Sequence, residues 1–389
     1  MVTIFTPVYN RAYIIQNLYE SLKRQTDQRF EWIIVDDGST DNLFEMVETW
    51  KKETRAFPIR YYYTENGGKH RAINFGVKMA SYDAFLIVDS DDYLTDNAVE
   101  LVHEWWQGIK DKEEYAGVSG LRGNESGGAI GGRPSMDPYI DATNMEREKY
   151  GLLGDKAEVY KTAVLRKYPF PEFPGENFLT EAVVWDRIAA GGFKLRWYNQ
   201  IIYICDYRAD GLTRQGRKIF EKNPKGWGLY LRQQCEIYGL PAWERINRYL
   251  EYYIYTREIL PRRKILENLK IDEEILGKVI ARHESCVKKT ALSLGTKIGL
   301  YGGGVCGEKV FKFYRRTEVE IAFVMDKQEV QIPCRRIPAD GQIPSVDAII
   351  VTPKNGQNAI IRSLEKRTHN RIVSYDEWEA CAGIKPAGA

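Results

Sequence analysis

No stretch of the sequence approaches the roughly 20 consecutive apolar residues that cross a bilayer. The first residues, Met1 to Pro7, do not place a basic segment before a long apolar run. Neither a secretory leader nor a membrane span is therefore expected; a cytoplasmic location is, with attachment to the inner face of a membrane left open. An excess of one charge is also missing: 56 Lys and Arg stand against 54 Asp and Glu, a formal net charge of +2. A dedicated nucleic-acid binder shows a marked basic excess, so no nucleic-acid partner is expected. Cysteines are few and scattered, at 205, 235, 286, 306, 334 and 381, with no CxxC pair. They read as buried thiols in a reducing compartment. Internal repeats and low-complexity tracts are absent.

What is present is enough to build cores. The chain has 389 residues, 43% of them hydrophobic and 28% charged, which excludes disorder and calls for two or three domains. The first hundred residues alternate between short apolar runs and helical spacing. Strands are expected over 2–6, 30–35, 59–63 and 84–88. Helices are expected around Ile15, Leu18 and Leu22, around Leu43, Val47 and Trp50, and over 69–80. This alternation implies an α/β fold with a parallel sheet covered on both faces. Ligands of such sheets bind beyond the carboxyl ends of the strands, and the polar clusters of this sequence sit there. The glycine-rich stretch 117–132 reads as a mobile loop, and 215–292 as mainly helical. A new strand-helix pattern begins near Lys297, which puts a boundary near Leu294.

Asp89-Ser90-Asp91-Asp92 follows an apolar strand directly. Carboxylates two residues apart at a strand end can converge on a hard divalent cation, which completes its shell with water and phosphate oxygens. Three further strand ends are polar: Thr6-Pro7-Val8-Tyr9-Asn10, Asp36-Asp37-Gly38-Ser39, and Asn66-Gly67-Gly68-Lys69-His70-Arg71. Together they describe one crevice. Tyr9 can stack on a base, an Asp can accept from a base N–H, and Lys69 and Arg71 can meet phosphate.

In this order, TPVYN, VDDGS, ENGGKHRAIN and DSDD resemble the nucleotide-sugar half of family 2 glycosyltransferases with the GT-A fold, over about residues 1–215. The resemblance implies an inverting sugar transfer from a nucleoside diphosphate donor, a UDP-sugar by preference, assisted by Mg²⁺ or Mn²⁺. The acceptor would be a hydroxyl of a glycan or lipid-linked molecule in surface polysaccharide synthesis. It implies donor-lining roles for Thr6, Pro7, Tyr9, Asp37, Lys69, Asp89 and Ser90, and metal-ligand roles for Asp91 and Asp89, with Asp92 as the alternative. An inverting transfer needs a general base. The family carries a Glu-Asp pair at a helix start; the matching pair here is Glu181-Ala182, so the Asp is missing. Glu181 is the first candidate base, Glu176 the second and Asp155 the third. Trp185 reads equally as an acceptor platform or as core.

The expected organisation is a GT-A domain over 1–215, a helical region over 216–294 and a small Rossmann-like module over 295–389. In that module Gly302, Gly304 and Gly307 fit G-x-G-x-x-G, and Asp326 ends the next strand, a spacing that suits a ribose contact. The helical region interleaves Arg245, Arg248, Arg257, Arg262, Arg263 and Lys264 with Trp243, Tyr249, Tyr252, Tyr253 and Tyr255. This face suits either a peripheral membrane contact or, the preferred reading, plain helix packing. The rival functions are a catalytically inactive nucleotide- or glycan-binding subunit, a sugar-nucleotide pyrophosphorylase and an NAD-dependent oxidoreductase.

Overall fold

A computed structural model describes every residue except 134–137, 206–216, 329 and 385–389. The chain divides into two compact units: Met1–Gln215 with Lys225–Gly239, and Gly216–Pro224 with Leu240–Ala389. The stretch 216–294 is therefore not a region of its own. Residues 225–239 group with the first unit, and the helices after 240 group with the C-terminal sheet.

In the first unit the chain runs β1 (Val2–Val8), α1 (Gln16–Lys23), β2 (Phe30–Asp36), α2 (Leu43–Glu53), β3 (Ile59–Tyr63), α3 (Lys69–Met79) and β4 (Ala84–Ile87). Then come β5 (Tyr93–Leu94), α4 (Ala98–Gln107), β6 (Tyr115–Gly123), β7 (Tyr139–Ala142), β8 (Lys156–Lys161), α5 (Thr162–Lys167), α6 (Ala182–Ala190) and β9 (Lys194–Ile204). The chain continues as α7 (Arg217–Lys222), in the second unit, and α8 (Pro224–Ile237), nearly all of it in the first.

The sheet order is β3-β2-β1-β4-β8-β6-β9-β5, with β7 paired to β9. Strands β1 to β4 pair in parallel, whereas β8 runs antiparallel to both β4 and β6. Alternate residues of each strand enter opposite cores. Phe30, Trp32 and Ile34 pack with Leu18, Val47 and Trp50; Ile33 and Val35 pack with Ile73, Val77, Val183 and Val184. Both faces are covered, which is why β1 and β2 are apolar almost throughout.

Three of the seven glycines expected in a mobile loop lie within a strand. Gly117, Gly120 and Gly123 belong to β6. A Cβ on Gly117 would stand 1.9 Å from the Val159 carbonyl oxygen, so this strand needs glycine for its neighbour to come close.

The second unit holds α9 (Ala242–Thr256), α10 (Arg262–Leu269), α11 (Glu273–Leu294), β10 (Lys297–Tyr301), α12 (Val305–Tyr314), β11 (Glu320–Asp326), β12 (Arg336–Pro338), β13 (Ala348–Val351), α13 (Gln357–Glu365), β14 (Arg371–Ser374) and α14 (Tyr375–Ala382). Its sheet is parallel, in the order β12-β11-β10-β13-β14. Of the basic aromatic face, Tyr249, Tyr252 and Tyr255 are buried, whereas Trp243 is exposed and Arg262, Arg263 and Lys264 make surface ion pairs with Glu273 and Glu267. Among the described residues no helix is long and apolar enough to cross a membrane.

Candidate active site

The loops after β1 and β2 are tied to each other. Asn10, at φ +52°, donates its amide to Ser39 Oγ (2.9 Å) and accepts from the Thr40 amide (2.8 Å); the Ala12 amide donates to Asp41 Oδ2 (2.8 Å). The tie fixes the loop that carries Tyr9, which is 51% exposed and offers an open aromatic face. Thr6 does not line this rim. Its side chain is fully buried and its hydroxyl accepts from the Trp32 indole at 3.0 Å, so it belongs to the core. Asp37 is buried, and its two oxygens accept from the Gly67 and Gly68 amides, each at 2.8 Å. It thereby fixes the turn that leads into α3. Burial raises its pKa, and those two amides partly offset the rise.

That turn delivers Lys69. Its ammonium stands 2.6 Å from Asp89 Oδ1 and 2.9 Å from Glu181 Oε1. Sequence separation hid this meeting of a helix-start lysine, a strand-end aspartate and the candidate base. Arg122 on β6 also reaches the cluster, at 3.8 Å from Asp89 and 4.0 Å from Asp92, and sits over the Tyr203 ring at 4.3 Å. Neither Arg122 nor Tyr203 stood out in the sequence; an arginine within a glycine-spaced strand was the available signal. Burial alone would raise the Asp89 carboxyl, but Lys69 and Arg122 outweigh it and leave it below its ordinary value. The Asp91 carboxyl is raised, first by burial and then by the charge of Asp89. Asp92 is buried and accepts from the Tyr203 hydroxyl at 2.7 Å; Ser90 is buried beside it.

The three candidate bases part company. Glu181 stands at the start of α6, with 35% of its side chain exposed, in contact with Lys69. Glu176 is buried, and its oxygens accept from the Lys225 and Gly226 amides at 2.8 and 2.9 Å, which caps the start of α8. It is a structural residue, and the expectation of a second candidate base there is corrected. Asp155 is exposed just before β8. Since Leu86 pairs with Val159 in antiparallel register, that end of β8 reaches the same rim as Asp89.

Arg71 does not wait for phosphate. Its guanidinium donates to the carbonyls of Gly67 (2.6 Å), Glu176 (2.8 Å) and Phe173 (2.7 Å), clamping the loop that leads to Glu181. Trp185 stacks on Tyr160 at 4.4 Å and meets Phe170 edge-on, so it is core rather than an acceptor platform.

Asp89 and Asp91 suit a hard divalent cation in chemical type. The raised Asp91 carboxyl, beside a second carboxylate, is the electrostatic condition that such an ion relieves. Among the described residues no group of three or more His, Cys, Asp or Glu could hold a metal, so the rest of the shell would come from water and phosphate oxygens.

In the second unit Asp326 Oδ2 accepts from the Gly303 amide at 2.7 Å, and the Thr352 hydroxyl donates to the Gly302 carbonyl at 2.7 Å. Asp326 thereby braces the glycine turn. Gly307 is required for packing, because a Cβ there would lie 2.2 Å from the Gly302 carbonyl oxygen.

Residues 3–167 match the family model described as glycosyl transferase family 2. An uncharacterized glycosyltransferase of Rickettsia bellii is 39% identical over 101 residues, 26% of this chain and 14% of that protein. The glycosyltransferase GlyG of Streptococcus pneumoniae is 33% identical over 105 residues, 27% of this chain and 34% of that protein. The match thus spans between about a seventh and a third of these relatives' length. Among solved structures, S. aureus TarS 1-349 in complex with UDP-GlcNAc is 17% identical, with a TM-score of 0.49 over 82% of this chain and 87% of that one.

Proposed function

Starting from a family 2 glycosyltransferase segment at residues 3–167, we propose that the first unit transfers a sugar, with inversion, from a nucleoside diphosphate donor to a hydroxyl of a glycan or lipid-linked acceptor. A uridine diphosphate sugar is the donor of choice, and surface polysaccharide synthesis the context. The observation that carries this reading is the convergence of Lys69, Asp89 and Glu181 within one set of ion pairs. The family match ends at 167, so Glu181 is supported by its geometry rather than by the match.

In this reading Tyr9 offers its ring to the base, beside the turn that Asp37 holds. Glu181 takes the proton of the acceptor hydroxyl as its oxygen bonds to the anomeric carbon; the bond to the diphosphate breaks on the opposite side, and the diphosphate leaves with the electron pair. A Mg²⁺ or Mn²⁺ ion held by Asp89 and Asp91 would neutralise charge developing on that leaving group. Arg71 keeps the Glu181 loop in place by its three carbonyl contacts.

The test is a thermal-shift panel of nucleoside diphosphates with and without Mn²⁺. Ligands that bind only the folded state raise the melting temperature. Uridine diphosphate with Mn²⁺ should stabilise the protein, and Asp91→Ala or EDTA should remove that effect. Equal stabilisation in all three conditions would refute the metal assignment. Tight donor binding without transfer to any acceptor would favour the inactive-subunit reading, which the Glu181-Ala182 pair keeps in play.

A further inference from the structure

Lys69 occupies an unfavourable place for a cation. It is the first residue of α3, and a helix N-terminus repels positive charge. Only 27% of its side chain is exposed. What holds it there is a pair of carboxylates from two different elements: Asp89, just beyond β4, and Glu181, at the start of α6. One carboxylate belongs to the metal reading and the other is the base. The same ammonium neutralises both.

The backbone makes this sharing hard to avoid. Gly68, at φ +92°, lies so close to the base loop that a Cβ would fall 1.8 Å from the Asn177 carbonyl oxygen. Asp37 fixes the amides of Gly67 and Gly68, and Arg71 fixes the carbonyls of Gly67, Phe173 and Glu176. The turn before Lys69 and the loop before Glu181 are thus braced to each other.

We propose that Lys69 is a positioning residue that acts as a charge gate: its ammonium, shared between Asp89 and Glu181, competes for Asp89 with a divalent cation and holds Glu181 at the rim until the donor site fills. This rests on the reading of Asp89 as a metal ligand and of Glu181 as the base. The gate links donor loading to release of the base. An empty site keeps Glu181 ion-paired. A loaded site gives the ammonium a new partner in the diphosphate.

The test is calorimetric titration of Mn²⁺ into the full chain, with and without uridine diphosphate, for wild type, Lys69→Met and Lys69→Arg. Removing one positive charge beside Asp89 should tighten Mn²⁺ binding by roughly tenfold in Lys69→Met, while Lys69→Arg stays near wild type. In transfer assays the losses of Lys69→Met and Glu181→Gln should not multiply; the double variant should match Glu181→Gln alone, as expected for residues acting through one contact. A folded Lys69→Met with unchanged or weaker Mn²⁺ affinity overturns the gate and leaves the metal site standing. Losses that multiply also overturn it. Wild type that binds no Mn²⁺ even with the nucleotide overturns the gate and the metal reading together.

Discussion

The Tyr203 hydroxyl donates to the Asp92 carboxylate at 2.7 Å and accepts from the Asp89 amide at 3.0 Å. One phenol therefore holds both ends of the aspartate turn. Tyr203→Phe removes this brace with little change of volume. The loss should cost about 1–3 kcal/mol, as for a buried charged acceptor deprived of a donor, and should weaken nucleotide binding in the presence of Mn²⁺. Chemical denaturation and nucleotide titration check the two effects; full retention of both would mean that other contacts hold the turn.

Glu181→Gln keeps size and hydrogen bonding but removes basicity. Transfer should fall by about 10²–10⁴ while donor binding persists. Asp155→Asn and Glu176→Gln should change transfer only a few-fold, the latter because Glu176 caps α8 instead of touching substrate. A dead Asp155→Asn beside an active Glu181→Gln would move the base to Asp155.

Gly68→Ala places a methyl group where the Asn177 carbonyl oxygen stands, at a positive φ that alanine avoids. The base loop should be displaced and transfer lost, with limited proteolysis near 173–181 enhanced over wild type. Wild-type activity in this variant would show that the loop and the turn move independently.

The fourth expectation concerns pH. His70 is buried, with no partner for Nδ1; burial, and then Arg71, lower its pKa to about 4. The unfolded chain holds the proton below about 6.5. The contribution to stability is therefore complete above that pH and is lost as pH falls toward 4, by about 1.4 kcal/mol per pH unit. His283, buried in the second unit and also lowered to about 4 by burial and Arg257, should act likewise there. His70→Leu should flatten the acid slope of the first unit, as followed by denaturant melts between pH 4 and 7. An unchanged slope would mean that His70 takes up its proton at the same pH folded as unfolded, and so is not held neutral by its surroundings.

The first strands were legible because β1 and β2 are buried on both faces, while β3, at the sheet edge, is only half-buried. Runs such as Phe30–Asp36 and Ile59–Tyr63 announce themselves, and the polar cluster after each marks the rim. Strand β8, with sequence KAEVYK, did not, since three of its six residues are charged and its pairing is decided by register against β4 and β6. Glycines in β6 mimicked a loop for the same reason: close approach of a neighbour is invisible in one dimension. Of the residues singled out in the sequence, Thr6, Glu176 and Arg71 hold the scaffold, and Arg122 and Tyr203 reach Asp89 and Asp92 from strands that carry no motif. Side-chain direction at a strand end depends on the loops beyond it, and those are set by tertiary contacts.

Asp92 and the tyrosine that secures it lie 111 residues apart in the chain. During synthesis at about 5–20 residues per second, the aspartate turn emerges on the order of ten seconds before Tyr203 exists. Throughout that interval the first four strands must stand with their carboxylates facing water. Such long-range closure is slow to form on refolding as well. Secondary structure should therefore return well before the aspartate turn closes, and the proposed nucleotide binding would be the last property this unit acquires.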